Sequence, residues 1–231
     1  MIGQATSLSE DRKRALALTP VSRETAIRLD RLVDLLLDWQ QRMNLIASST
    51  IPIVWTRHVA DSLQLLALAP TARVWADLGS GAGFPGLVLA CALAESEGTR
   101  VHLVESNGKK AAFLREAVRA TGAPAEVHAL RVADFVENST EPIDVVTARA
   151  LAPLPELLAM AYPLLKRGTV GLFPKGQDVA VELTAAAKCW KIQSSLTQSL
   201  TDARGQIVVV RGLEKRVLPA RSEPRKKESR P

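Results

Sequence analysis

The chain has 231 residues, 47% apolar and 23% charged, with a net charge of +6. That length allows one domain with an appendage and a sizeable core, while no run approaches the roughly 18 apolar residues of a membrane helix. The charged stretch Glu10–Arg14 does not fit a signal peptide, and Cys91 and Cys189 form no metal or redox motif, so a soluble protein of a reducing compartment, the cytoplasm, is expected.

In chain order, Glu24–Ile46 is predicted as an amphipathic helix. Leu29, Leu32, Val33, Leu36, Trp39 and Met43 fall near i, i+3, i+4 spacing. Ser48-Ser49-Thr50 and Pro52 break it, and Thr56–Leu68 is predicted as a second helix, ended by Pro70. From Arg73 the pattern alternates. Strands are expected at Val74–Leu78, Val101–Glu105, Glu126–Ala129, Ile143–Thr147 and Val170–Pro174, with helices at Pro85–Leu93, Lys109–Thr121 and Pro155–Leu165. This rhythm predicts a parallel sheet covered on both faces. Gln206–Arg211 reads as an edge strand, with another strand near Lys191–Leu196. Residues 1–70 are thus expected to form a helical extension packed on the core, 71–212 the main domain, and 213–231 a basic, disordered tail. Arg211 to Pro231 carries eight Lys/Arg against three Glu, leaving the body near neutral. Such a tail either aids solubility or holds RNA phosphates electrostatically.

The richest segment is Trp75-Ala76-Asp77-Leu78-Gly79-Ser80-Gly81-Ala82-Gly83-Phe84-Pro85-Gly86. It reads as a strand, a glycine loop that a ligand can approach closely, and the start of a helix. Gly81, Gly83 and Gly86 also fit a dinucleotide fingerprint, but no Gly-Lys-Ser/Thr follows to make a phosphate loop. Asp77 favours S-adenosylmethionine. A carboxylate there would repel a pyrophosphate but suits the cationic amino-acid end of that cofactor. Glu105, closing the next strand, stands where a carboxylate can accept ribose hydroxyls. The scattered His58, His102 and His128 suggest no metal site.

Further islands are Asn44-Leu45, Arg57-His58-Val59-Ala60-Asp61-Ser62, Gly108 to Leu114, Thr147-Ala148-Arg149-Ala150 and Pro174-Lys175-Gly176-Gln177. With the glycine loop they make the chain, from about Leu35 to Arg211, resemble the bacterial 16S rRNA 7-methylguanosine methyltransferases, the ribosomal RNA small subunit methyltransferase G (glucose-inhibited division protein B) family. The resemblance implies an α/β fold of class I S-adenosylmethionine-dependent methyltransferase type, Rossmann-like with a mostly parallel seven-stranded sheet, and an N-terminal helical cap. It implies methyl transfer to a guanine in the decoding-region loop of 16S rRNA. The chain is expected to act on 16S rRNA or the small ribosomal subunit as a monomer, with no metal and no membrane. Asp77, Gly79, Gly81, Phe84, Glu105, Val132, Ala133 and Arg149 become the cofactor candidates. Val132 and Ala133 would flank the adenine. Many members carry an acid at the position of Ala133, whereas here it is next door at Asp134. Arg149 is also the candidate for catalytic positioning, and Arg57, His58, Lys109 and Lys175 are candidates for the RNA surface. Arg57 and Asp61, at i and i+4, could instead simply be paired on a helix.

The chemistry agrees. Ring nitrogen 7 of guanine carries a free lone pair, so no proton must leave before it attacks the sulfonium methyl. Exocyclic-amine methylation often uses Asn/Asp-Pro-Pro-Tyr/Phe after strand four; here that place reads Thr147-Ala148-Arg149-Ala150. The alternatives are a methyltransferase for another RNA, a protein or a small molecule, an NAD-dependent oxidoreductase on the same loop, and a non-catalytic RNA-binding protein that kept the fold.

Overall fold

A computed structural model describes residues 2–216, with side chains from residue 7. Helix α1 (Ile2–Leu18) is followed by α2 (Arg23–Gln40), which starts where the Ser22 hydroxyl accepts from the Thr25 amide. The expected continuation of α2 to Ile46 does not occur. The Gln40 side chain accepts from the amides of Leu45 and Ile46 and donates to the Ile46 carbonyl, so the chain turns back on itself.

The expected helix over 56–68 is instead part of a string of short helical turns. These are a 3-10 turn (Ser48–Ile53), a π-helical turn (Trp55–Ala60), α3 (Asp61–Leu63) and a second 3-10 turn (Gln64–Leu68). The Ser62 hydroxyl donates to the His58 carbonyl at 2.6 Å and the Gln64 amide to the Asp61 carbonyl at 3.0 Å, so side chains compete with regular helical pairing. At the start of this string the buried carboxylate of Asp11, on α1, accepts from the amides of Trp55 and Thr56 and from the Thr56 hydroxyl.

The sheet holds β1 (Val74–Leu78), β2 (Arg100–Val104), β3 (Ala125–His128), β4 (Val145–Thr147), β5 (Val170–Lys175), β6 (Trp190–Gln198) and β7 (Gln206–Lys215). Their order is β3-β2-β1-β4-β5-β7-β6. The first five strands pair in parallel, and β7 is antiparallel to both β5 and β6. The intervening helices are α4 (Gly86–Ala92), α5 (Gly108–Thr121), α6 (Val132–Asn138), α7 (Leu154–Leu165) and α8 (Val179–Ala186). Alternation along β1 builds both cores. Trp75 packs with Leu87, Leu89, Phe113 and Leu114 of α4 and α5, a core that α2 joins through Leu29, Leu32 and Leu36. Ala76 and Leu78 face the other way, toward Phe135, Leu157, Leu158 and Phe173. Burying each such large apolar side chain contributes about 1.5–3 kcal/mol.

Two expectations change at the far edge. β7 is interior, because Ile207 and Val209 join one core while Val208 and Val210 join the other. The edge strand is β6, whose mostly exposed residues, Lys191, Gln193 and Ser195 among them, suit an unpaired edge. β7 also runs through Lys215, so Leu213–Lys215 are ordered strand rather than the beginning of a tail, and Leu213 is buried. Residues 217–231 of the expected tail lie outside the described residues. Strands β1 and β4 are neighbours although helices α4 and α5 intervene in sequence, which makes their carboxyl ends the switch point where open α/β sheets bind ligands.

Candidate functional site

The loop after β1 is tied shut at its base. Asp77 is fully buried, and its Oδ2 accepts from the Gly86 amide at 3.0 Å, joining the end of β1 to the first residue of α4. Only glycine fits at 86, since a Cβ there would lie 2.6 Å from both Asp77 Cβ and Leu103 Cδ2. Gly79 has φ of +71°, and an added Cβ would meet Leu151 Cδ1 at 2.6 Å, which brings the loop after β4 against the loop after β1. Among the described residues Asp77 Oδ1 has no hydrogen-bond partner. Burial pushes the Asp77 carboxyl up to about 6, against the lowering effect of the Gly86 hydrogen bond. An unsatisfied buried carboxylate oxygen beside a glycine loop fits a cationic group such as the cofactor's ammonium.

Glu105, just past β2, is buried and accepts from the Gly81 amide at 2.9 Å and from the Asn107 amide at 2.7 Å. Each of its oxygens keeps a second lone pair for a hydroxyl donor. The α5 cap is Asn107, whose Oδ1 accepts from Lys109 and Lys110 amides, so Glu105 is not spent on capping. Val132 and Ala133 open α6, which has no side-chain cap; Val132 is half-buried and Ala133 exposed. Backbone amides of that first turn suit an acceptor on a base.

The end of β4 carries Arg149. Its Nη2 donates to His58 Nδ1 at 2.7 Å, and its Nη1 reaches the Arg57 carbonyl at 3.1 Å and Asp61 Oδ2 at 3.3 Å. The next residue, Ala150, has φ of +55°, a left-handed conformation costly to a residue with a Cβ. His58 Nε2 lies 3.0 Å from the Thr50 hydroxyl, which donates in turn to the Ala47 carbonyl at 2.7 Å. Because Nδ1 accepts from a guanidinium, Nε2 carries the hydrogen. Burial, then the charges of Arg149 and Arg57, push the imidazole down to about 3, so it is neutral. The His58 ring stacks on Phe84 at 4.8 Å, and the Arg149 guanidinium carbon sits 5.3 Å from the same ring's centre. Burial lowers the Arg149 pKa, opposed by Asp61.

These groups border a cavity of about 370 Å³ lined by Ile46, Thr50, Gly79, Gly81, Phe84 and Lys110 among others. A second cavity of about 260 Å³ shares Arg57, Arg149 and Ala150 with it and extends to Lys175, Asp202 and Ile207. A third cavity, about 680 Å³, lies at the opposite, amino-terminal ends of β1, β4 and β5 and includes none of the glycine-loop residues.

The RNA candidates divide. Arg57 and Lys109 are exposed. His58 is buried with both ring nitrogens engaged, and Lys175 pairs with Glu182 at 2.8 Å while donating to the Ala152 carbonyl at 2.8 Å. Those two are parts of the frame rather than surface groups. Asp61 pairs with Arg149, not with Arg57 as i, i+4 spacing allowed. The sequence reading missed Lys110, which lines the first cavity. It also missed Gln64 and Thr201, which donate to Asp61 Oδ1 at 2.9 and 2.7 Å. The neighbouring Lys109-Lys110 pair was the available signal for the first, and nothing in sequence joins Thr201 to Asp61.

A family model described as rRNA small subunit methyltransferase G (GidB) matches residues 26–215. A protein named ribosomal RNA small subunit methyltransferase G from a Bradyrhizobium species is 59% identical over 208 residues, covering 90% of this chain and 94% of that relative. One of the same name from Nitrobacter hamburgensis is 59% identical over 216 residues, covering 94% and 83%. Among solved structures, an O-methyltransferase from Bacillus cereus in complex with SAH superposes with a TM-score of 0.57 at 19% identity, over 90% of this chain and 99% of that one. The O-methyltransferase TomG from Streptomyces achromogenes gives 0.57 at 17% identity, over 92% and 100%. At those identities the likeness establishes the fold.

Proposed function

Because the chain belongs to the rRNA small subunit methyltransferase G family, we propose that it methylates ring nitrogen 7 of a guanine in the decoding-region loop of 16S rRNA. It is an S-adenosylmethionine-dependent methyltransferase acting on small-subunit rRNA, and membership sets the nicotinamide alternative aside. No described helix is long and apolar enough to cross a membrane. The chain acts as a monomer in the cytoplasm, where ribosomal subunits assemble.

The observation that carries the nitrogen-7 reading is the state of His58. The imidazole beside the glycine loop is neutral at working pH, but its Nδ1 lone pair is held by Arg149 and its Nε2–H by Thr50. It is therefore not a free base. A ring nitrogen with an available lone pair needs no base, so a site that invests in orientation suits it.

The cofactor supplies an electrophilic methyl group. Asp77 and the Gly79–Gly81 loop hold its methionine end, Glu105 its ribose, and the backbone of Val132 and Ala133 its adenine. Arg149, fixed by His58 and Asp61 and lying against Phe84, would orient the reacting partners. Arg57 and Lys110, which border the cavity, meet the RNA backbone together with the exposed Lys109. Excluding water and aligning two reactants can contribute on the order of 7–11 kcal/mol.

The test is transfer of labelled methyl from S-adenosylmethionine to naked 16S rRNA and to small subunits from cells lacking the modification, with mass spectrometry of the product nucleoside. 7-Methylguanosine at one loop guanine is expected. A different methylated nucleoside would overturn the choice of nitrogen.

A further inference from the structure

Strands β2 and β3 run parallel in a register that sets His102 opposite Glu126 and Val104 opposite His128. On the α6 face this brings together residues that look unrelated in sequence. His102 Nδ1 lies 3.0 Å from His128 Nε2, and that nitrogen is 3.9 Å from Glu126 Oε1. One donor atom from each of the three falls within 4.8 Å of the others. On its far side His102 Nε2 is 3.1 Å from Glu141 Oε2, and Arg100 holds that carboxylate at 3.0 and 3.2 Å. The Phe135 ring packs on both imidazoles, 5.6 Å from His102 and 4.9 Å from His128.

The hydrogen bonds define the tautomers. A carboxylate accepts only, so His102 Nε2 carries the hydrogen and the Nδ1 lone pair points at His128. A second carboxylate, Glu126, stands beside the pair. An imidazole whose outer N–H is fixed by a carboxylate while its inner nitrogen faces further donors is the arrangement of a metal-ligating histidine.

We propose that His102, Glu126 and His128 bind a divalent transition ion of the zinc class, with Glu141 orienting His102. Metal–nitrogen bonds of about 2.0–2.1 Å in tetrahedral geometry set ligand nitrogens roughly 3.3 Å apart, so the separation of the two nitrogens grows by only tenths of an ångström while both rings turn to aim their lone pairs at the ion. His128 vacates Nε2 by carrying its proton on Nδ1, which keeps the ring neutral, and the exposed Glu126 side chain is free to swing inward. Two imidazoles and one carboxylate suit zinc, nickel or copper rather than magnesium or calcium. The sequence spacing suggested no metal site because the strand register, not a local motif, assembles this one.

The ion would rivet the edge strand β3 to β2. These strands lead into Glu105 and into Val132–Ala133, so the ion secures the side of the fold that carries those residues. It takes no part in methyl transfer.

The experiment uses the full chain without a histidine tag, stripped of metal and titrated with zinc chloride. Calorimetry and elemental analysis after dialysis should give one ion per chain and a rise in Tm, with no rise on adding magnesium chloride. His128→Gln and Glu126→Gln, confirmed folded by circular dichroism, should lose the saturable site or weaken it, and Glu141→Gln should weaken it on the order of 10–100-fold. No retained zinc, an equal response to magnesium, or zinc held equally by His128→Gln and Glu126→Gln would overturn the assignment.

Discussion

Arg149 donates through Nη2 to Nδ1 of His58 at 2.7 Å, which locks the end of β4 to the π-helical turn Trp55–Ala60. The bond requires a neutral imidazole, and the same guanidinium supplies part of the field that keeps it neutral. The two residues thus set each other's state. Phe84 lies against both, so loop, turn and strand end meet at one buried point.

Arg149 engages three acceptors in different directions: His58 Nδ1, the Arg57 carbonyl and Asp61 Oδ2. An ammonium cannot reproduce that planar fork. Arg149→Ala is expected to lower kcat on the order of 100-fold through misplacement, with Arg149→Lys restoring only a minor part. Single-turnover methyl transfer, read beside S-adenosylhomocysteine binding, separates positioning from cofactor affinity. A Lys variant with normal kcat would rule out the positioning role.

His58 gives a stability signature in acid. Its folded pKa is depressed from 6.5 to about 3, chiefly by burial. The unfolded chain therefore takes up a proton below about pH 6.5 that the fold refuses. Stability is complete above that pH and declines as pH falls toward 3, by roughly 2 kcal/mol at pH 5. Urea melts at pH 7.5 and 5.0 should show a larger loss in the wild type than in His58→Gln, which keeps only the smaller share from His128, also lowered by burial.

Asp77 predicts a pH dependence of cofactor binding. Burial raises its pKa to about 6 in the ligand-free chain, and a cation beside it favours the ionised form. S-adenosylhomocysteine, which keeps the ammonium, should bind with constant affinity from about pH 7 up to the pH at which that ammonium loses its proton, and weaken as pH falls through 6, approaching roughly tenfold per pH unit. Asp77→Asn can still accept from Gly86 but has no charge, so it should bind more weakly and lack this pH dependence. An unchanged pH profile in the variant would leave Asp77 as a loop tie alone.

The sequence disclosed what local chemistry decides and missed what distant pairing decides. Val74–Leu78 and its glycine loop were readable because strand, turn and helix start are adjacent in the chain. Ile207–Val210 was readable as a strand, and its unbroken apolar run already pointed to burial on both faces, the feature of interior strands that an edge assignment overlooks. His58 and Lys175 looked like surface groups because their partners, Arg149 and Glu182, arrive only when the sheet closes. α6 was invisible to periodicity because it spans seven residues, of which only Phe135 and Val136 are buried. Asp11 gave no signal either, since its partners Trp55 and Thr56 are reached only by folding α1 back onto the short turns.

The most remote element of the site is the β6–β7 hairpin. The Thr201 hydroxyl donates to Asp61 Oδ1 at 2.7 Å, and the Leu200 amide donates to Gln64 Oε1 at 2.8 Å. Asp61 therefore stands between the hairpin and Arg149, accepting from one on each oxygen. Thr201→Val keeps the side-chain shape and removes the donor. Gln64 still satisfies Asp61 Oδ1, so the stability cost should be near 1 kcal/mol. Held on that side by Gln64 alone, Asp61 can turn further with Arg149, so kcat should fall while the affinity for S-adenosylhomocysteine stays close to wild type. Thr201→Ser should restore kcat, because it returns the hydroxyl. A loss of kcat that serine does not rescue would mean that the hairpin acts by packing, and that the Thr201–Asp61 bond does not set the position of Arg149.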